Sequence, residues 1–312
     1  MDRVIYIRDV QFYVYMFSLY LEGIIVELLK YGDKVAIVAC SNGLDESNRI
    51  KMNALESTLY DIGLKSEFSN KIYKKNSVFN GTDEERAEVL MKFFEDSSIK
   101  AIFDVSGGDL ANGILDYLDF EIIRNNNKPF FGYSDLSVII NSLYSKTGIK
   151  TYLYQIRNII EANKTKQLKE FKNTFMGSGS ELLTFNYEWI QGNYMEGIVV
   201  GGNVRCFLKL AGTEYMPDFE DKILFLESLG GDVAKMKTYL SQYKQMGVFK
   251  KIEGIILGSY TEMERENYSP NIIEIVNEVV NDTNMPIIKT EEIGHGKNSK
   301  CIIIGERIKL PH

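Results

Sequence analysis

From residue 34 onward the chain alternates short, unbroken apolar runs with longer segments of helical periodicity. Val35-Ala36-Ile37-Val38-Ala39 is apolar at every position and ends at the turn cluster Ser41-Asn42-Gly43. That is the pattern of a strand covered on both faces in a parallel sheet. Residues 50–62 read as a helix closed by Gly63. Thr82-Asp83-Glu84-Glu85 has the Thr-x-x-Glu form of a capping box, and Ala87, Leu90, Met91 and Phe94 follow it at helical spacing. Residues 101–105 form the next buried strand, leading into the loop Ser106-Gly107-Gly108-Asp109 and a helix as far as Leu118. Pro129-Phe130-Phe131 is a further short strand, with a helix over 136–144 directly after it. Strands alternating with helices predict a doubly wound, mainly parallel α/β domain over 31–157. Ligands of such sheets gather at the carboxyl ends of the strands, where the loops 106–109 and 132–135 both fall.

Residues 158–190 lose this rhythm. They contain a Lys-rich stretch over 163–172 and the flexible Gly177-Ser178-Gly179-Ser180, and predict a crossing segment. A second, smaller α/β domain follows over 191–312. It holds the Gly-rich piece 197–203, buried strands over 223–227 and 254–258, and helices over 234–246 and 271–280. Residues 286–288 then lead to Gly294-His295-Gly296. Residues 1–30 stand apart, because 10–21 is an uncharged apolar run bracketed by Asp9 and Glu22. It is shorter than the ~20 residues of a spanning helix. It also lacks the basic start and small-x-small cleavage site of a secretory signal. We therefore expect an apolar extension packed on or accessory to the body, and no membrane partner.

Length and charge narrow the function classes. A chain of 312 residues can bury a core without staples. Its 36 basic and 43 acidic residues leave a net charge of −7, which argues against a nucleic-acid partner. Cys40, Cys206 and Cys301 are too few and too far apart for a disulfide framework or a thiolate zinc site, so a reducing, cytoplasmic setting is expected. The two histidines are His295 and His312, the last residue. A two-histidine metal site would need a ligand on a terminus, so neither metal nor cofactor is expected.

Three positions suggest chemistry. Ser134, in the strand-to-helix turn Phe131-Gly132-Tyr133-Ser134-Asp135, has the setting of an outward-presented nucleophile, although Leu136 replaces the second glycine of the hydrolase elbow. The same two polar residues would also serve as a helix N-cap. Glu227 ends a wholly apolar strand, as a solvent cap or as a paired buried carboxylate. His295 lies between two glycines, reachable as a base or exposed on a loop. Taken together they have the parts of a nucleophile, an orienting carboxylate and a base.

Seven ordered blocks give the chain a resemblance to the LD-carboxypeptidase family of serine peptidases, which includes the microcin C self-immunity peptidases. They are Gly32-Asp33-Lys34-Val35-Ala36-Ile37-Val38-Ala39, Ile99-Lys100-Ala101-Ile102-Phe103 leading to Gly107-Gly108, Gly132-Tyr133-Ser134-Asp135, Gly201-Gly202-Asn203, Ala211-Gly212-Thr213-Glu214-Tyr215, Leu224-Phe225-Leu226-Glu227 and Gly294-His295-Gly296. The resemblance implies that Ser134, Glu227 and His295 are catalytic. It also implies an oxyanion hole from the backbone N–H groups of Gly108, in the Gly107-Gly108 loop, and Asp135. Two domains with the site in the groove between them, and a homodimer, are further implications. The implied substrate is a cytoplasmic murein tetrapeptide, cut before its terminal D-alanine in cell-wall peptide recycling.

The chain departs from the family pattern in two places: Ser106 stands where the family often has Arg, and Tyr154-Gln155-Ile156-Arg157 where it often has Gly-Pro. Arg157 is a candidate anchor for a substrate carboxylate. Two other functions fit the same blocks. One is an immunity-type amidase cutting acyl-sulfamoyl or acyl-phosphoramidate adenylates, which would want an aromatic to stack the base. The other is a non-catalytic muropeptide or nucleotide sensor.

Overall fold

The computed structural model describes residues 28–311. The expected apolar extension therefore lies almost wholly outside the described residues. Its last part, Leu29, is fully buried and donates its N–H to the Phe175 carbonyl at 2.9 Å.

Two six-stranded sheets carry the fold. The chain first makes β1 (Lys34–Val38), β2 (Lys65–Phe68), β3 (Ile99–Asp104), β4 (Phe130–Gly132) and β5 (Thr151–Leu153), paired in parallel in the order β5-β4-β3-β1-β2. It then makes β6 (Glu188–Gln191), β7 (Tyr194–Asn203), β8 (Lys222–Ser228), β9 (Gly254–Tyr260) and β10 (Ile287–Lys289). Of these, β7 to β10 run parallel and β6 lines the β10 edge antiparallel. The chain next returns to the first sheet as β11 (Ile302–Ile304), antiparallel to β5, and closes the second as β12 (Arg307–Pro311), antiparallel to β7. Both sheets have helices packed on them, an α/β architecture with two parallel cores.

The central strands are buried along their length, which is why they read as continuous apolar runs. The capping box is present: the Thr82 hydroxyl accepts from Glu85 N–H at 3.1 Å, and the Glu85 carboxylate accepts from Thr82 N–H at 2.9 Å. The helix expected to reach Leu118 is instead a 3₁₀ stretch, Ala111–Tyr117. Gly113 lies in its first turn, where a Cβ would come within 2.5 Å of the Asp83 carboxylate. Part of the expected crossing segment is tied to the first sheet. In the helix Lys164–Phe175, Phe171 packs tilted on Phe103 and Phe175 edge-on to Phe131, with ring centroids 6.0 and 5.1 Å apart.

The two sheets are joined by a continuous core. Leu136, Ile139, Ile140 and Leu143, in and just before the helix Ser137–Thr147, share one buried cluster with Val199, Val200 and Phe225. The Gly201-Gly202-Asn203 end of β7 then hydrogen-bonds to that helix. Asn141 accepts from Gly201 N–H at 2.9 Å and donates to the Gly201 carbonyl at 2.7 Å, and Ser137 Oγ accepts from Asn203 N–H at 2.8 Å. Gly202 has φ +144, and a Cβ there would sit 2.3 Å from Ser137 Oγ. The glycines thus permit close approach between backbone and helix. Among the described residues no helix is long and apolar enough to cross a membrane.

Candidate active site

The turn after β4 is too tight for any residue but glycine at its start, since a Cβ on Gly132 would lie 2.7 Å from that of Leu136. Two residues on, Ser134 has φ +57, a left-handed backbone that a side-chain-bearing residue adopts at a cost of order 1–3 kcal/mol. This lifts the Ser134 side chain toward the loop after β3, where a Cβ on Gly107 would be 3.9 Å from Ser134 Oγ. Asp135 and Gly108 donate their backbone N–H groups to no acceptor among the described residues. Ser134 is thus followed in the chain by one unspent N–H donor and lies close to the loop that carries the other.

The Asp135 carboxylate points away from the cavity and is wholly buried. It accepts from Ser41 Oγ at 2.6 Å, Ala111 N–H at 2.9 Å and Lys209 Nζ at 2.5 Å. The Ser106 hydroxyl is likewise turned inward, donating to Asp104 at 2.6 Å and accepting from Ser41 N–H at 2.9 Å. Asp104 also accepts from the N–H groups of Ser106 and Cys40, both at 2.7 Å, yet burial still raises its pKa above the usual carboxylate value. These bonds brace the strand ends on which the Gly107–Gly108 loop is mounted.

On the other side, Glu227 is 0% exposed, which rules out a solvent cap. The parallel register sets Asn203 on β7 beside Glu227 on β8, and Asn203 Nδ2 donates to Glu227 Oε1 at 3.1 Å. The other carboxylate oxygen lies 2.6 Å from His295 Nδ1. An ionised carboxylate can only accept, so Nδ1 carries a proton, and in the neutral ring Nε2 then keeps its lone pair. The Tyr133 ring packs on the imidazole at 4.7 Å. Nε2 is buried and has no hydrogen-bond partner among the described residues, Ser134 Oγ included. Gly294, at φ +153, abuts Ser259 so closely that no Cβ would fit, which fixes the approach of the His295 loop.

Ser134 and His295 line one cavity of about 370 Å³, together with Gly107, Gly108 and Arg157. Glu227 stands behind the imidazole, and neither it nor Asp135 is part of the cavity wall. Arg157 is half-buried rather than exposed, and its buried Nε has no partner among the described residues. Burial lowers its pKa from the ordinary value. Sequence reasoning missed Asn203 as the Glu227 partner and Tyr133 as the imidazole platform. It also missed Glu161 and Lys297 on the cavity wall. The Asn203 signal was available, since Gly201-Gly202-Asn203 is an ordered block without an assigned role.

Residues 35–154 match the model of the LD-carboxypeptidase N-terminal domain, and residues 196–310 that of the LD-carboxypeptidase C-terminal domain. The chain belongs to the LD-carboxypeptidase family. It is 25% identical over 295 residues to a probable murein peptide carboxypeptidase of Bacillus subtilis, covering 90% of each chain. It is also 25% identical to the microcin C7 self-immunity protein MccF of Escherichia coli, over 78% of this chain and 80% of that one. Among solved structures, an MccF-like protein of Bacillus anthracis superposes with TM-score 0.79 at 26% identity, over 91% of this chain and 98% of the other. A muramoyltetrapeptide carboxypeptidase of Oxalobacter formigenes shares the fold, with TM-score 0.72 at 21% identity over 89% and 95%. Membership makes the protein a carboxypeptidase-like hydrolase. Its two departures from the family pattern both touch the cavity, where Ser106, Gln155 and Arg157 form part of the wall.

Proposed function

We propose that the protein is a serine LD-carboxypeptidase that removes the terminal D-alanine of murein tetrapeptide. The observation that carries this reading is the 2.6 Å contact of Glu227 with His295 Nδ1, which leaves Nε2 as the unpartnered nitrogen of a residue that lines the same cavity as Ser134. Ser134 Oγ attacks the carbonyl of the L-centre while His295 Nε2 takes its proton. Glu227 holds the imidazole in that tautomer and stabilises the imidazolium. The oxyanion is received by the N–H groups of Gly108 and Asp135. Collapse expels D-alanine, protonated by His295, and water then releases the acyl group from Ser134. Arg157, which makes no ion pair within 4.0 Å among the described residues although Glu161 and Asp104 act on its charge, supplies a bidentate grip for the free C-terminus. Such a grip accounts for cutting one residue from the end.

The immunity-type reading uses the same three side chains on a different leaving group. It would need a ring to stack the base, and the one aromatic on the described cavity wall, Tyr133, is packed on His295. This favours the peptide. The test is mass spectrometry of murein tetrapeptide and of an acyl-sulfamoyl adenylate after incubation with the protein. We expect D-alanine from the first, and its loss with Ser134→Ala. Turnover confined to the adenylate would replace the peptide reading, and tetrapeptide cleavage surviving Ser134→Ala would end the serine mechanism.

A further inference from the structure

The Gly108 N–H is free while the polar backbone groups that bracket it are held. Asn42 N–H donates to the Gly107 carbonyl at 3.2 Å, and Asn42 Oδ1 accepts from Asp109 N–H at 3.0 Å. Gly108 has φ +125, and a Cβ there would lie 2.2 Å from Asn42 Cγ, so the loop is pressed onto Asn42. The remaining two holds come from the other lobe. Arg205 Nη2 donates to the Gly108 carbonyl at 3.3 Å, and Lys209 Nζ to the Asp109 carbonyl at 2.9 Å.

These two cations also reach carboxylates. Arg205 pairs with Asp109, and Lys209 is 2.5 Å from the wholly buried Asp135. They are four residues apart, in the helical stretch that follows β7, so they project from one face. One cation thus grips the Gly108 loop, and the other grips that loop together with the residue after Ser134. Neither touches the cavity.

We propose that Arg205 and Lys209 are positioning residues that clamp the two N–H donors of the oxyanion site from the C-terminal lobe, so that the site is complete only when the lobes are docked. The proposal rests on the reading of Ser134 as nucleophile. The clamp acts through Gly108 and Asp135, and its loss weakens stabilisation of the tetrahedral oxygen without removing a group that binds the peptide. It therefore lowers kcat and leaves KM nearly unchanged.

The test uses the full chain and a fluorophosphonate, whose phosphonyl oxygen occupies the oxyanion position when Ser134 attacks. Lys209→Met alone strands a buried carboxylate and endangers folding, so it is paired as Lys209→Met/Asp135→Asn, with the half-exposed Arg205→Met as the second variant. We expect phosphonylation and kcat on murein tetrapeptide to fall about 10- to 100-fold in the paired variant, less than the ~10²–10³-fold cost of deleting a donor. Arg205→Met should lose less, and Lys209→Arg, which keeps the charge, should stay within about three-fold of wild type. Amide hydrogen exchange at Asn42 and Asp109, whose N–H bonds hold the Gly108 loop, should quicken in the two weakened variants. Wild-type rates in a folded paired variant would overturn the clamp. If the wild-type chain neither labels nor hydrolyses, the nucleophile reading fails separately, and exchange alone decides the clamp: unchanged protection at both amides overturns it, and faster exchange supports it.

Discussion

Glu227→Gln isolates the tautomer argument from packing, because it keeps the volume of a fully buried side chain and removes its charge. The structure dictates how the new amide must turn. Asn203 Oδ1 already accepts from Cys206 N–H, so Asn203 presents its NH₂ to residue 227. The amide oxygen at 227 must face that donor, and its NH₂ then faces His295 Nδ1. Two donors cannot share the contact, so Nδ1 becomes the acceptor and the ring proton moves to Nε2. A protonated Nε2 cannot take the Ser134 proton. The comparable change in a serine protease triad costs about 10⁴-fold in kcat, equivalent to about 5.4 kcal/mol of barrier.

The assay is D-alanine release from murein tetrapeptide, beside the rate of fluorophosphonate labelling and the ¹⁵N shifts of the His295 ring. A loss smaller than about ten-fold, or a ring that keeps its proton on Nδ1, would refute the reasoning. A second substitution sharpens it. With Asn203→Ala added, the amide at 227 is free to turn its oxygen to the imidazole, and part of the activity should return. Recovery on adding a second lesion is a sign that simple destabilisation does not produce.

Three further outcomes follow from the site and the seam. Arg157→Met should raise KM for the free tetrapeptide by about 10- to 100-fold, the loss of a charge-assisted bidentate grip, and abolish preference over a C-terminally amidated analogue in competition kinetics. Gly202→Ala should lower stability by about 1–3 kcal/mol in urea unfolding, because its Cβ would sit 2.3 Å from Ser137 Oγ. Arg205 holds the Asp109 carboxyl below the usual carboxylate value, chiefly by a hydrogen bond. A depressed carboxylate contributes stability above its unfolded value and loses it as the pH falls through the folded one. The difference in Tm between wild type and Arg205→Met should therefore be present at neutral pH and close below about pH 4.

The parts legible in the sequence are those whose physics is local. β1 and β3 announce themselves because both faces are covered, and the Thr82 cap because its partner is three residues away. β2 carries no such signal: Lys65-Ser66-Glu67-Phe68 is an edge strand with Lys65 and Glu67 exposed, and only its pairing with β1 makes it a strand. Ile302–Ile304 is a short apolar run, and nothing nearby says that it is a strand or that it belongs to the first sheet. The candidate triad could be proposed because serine, glutamate and histidine each sit at a strand end or turn. Its electrostatic state could not. Glu227 is buried because Asn203 and His295, 24 and 68 residues away, supply its partners. The clamp was invisible for the same reason, since Arg205 and Lys209 meet Asp109 and Asp135 across 74 to 100 residues.

That division locates control of the site. Ser134 belongs to a turn of the first sheet, and Glu227 to a strand of the second. His295 follows both in sequence, on the segment linking β10 of the second sheet to β11 of the first, so its loop is anchored to both. The loop is held on the second-sheet side by Glu227 and on the first by Cys301 N–H, which donates to the Leu182 carbonyl at 2.7 Å. No single element can therefore bring hydroxyl and imidazole into register. Their separation is set by how the Gly201-Gly202-Asn203 strand end seats on the Ser137–Thr147 helix, and that helix begins three residues after Ser134. A change in the seam displaces the base and the oxyanion clamp together. Seam variants should therefore lose reactivity out of proportion to their stability, whereas equal lesions in the edge strand β2 should cost stability alone.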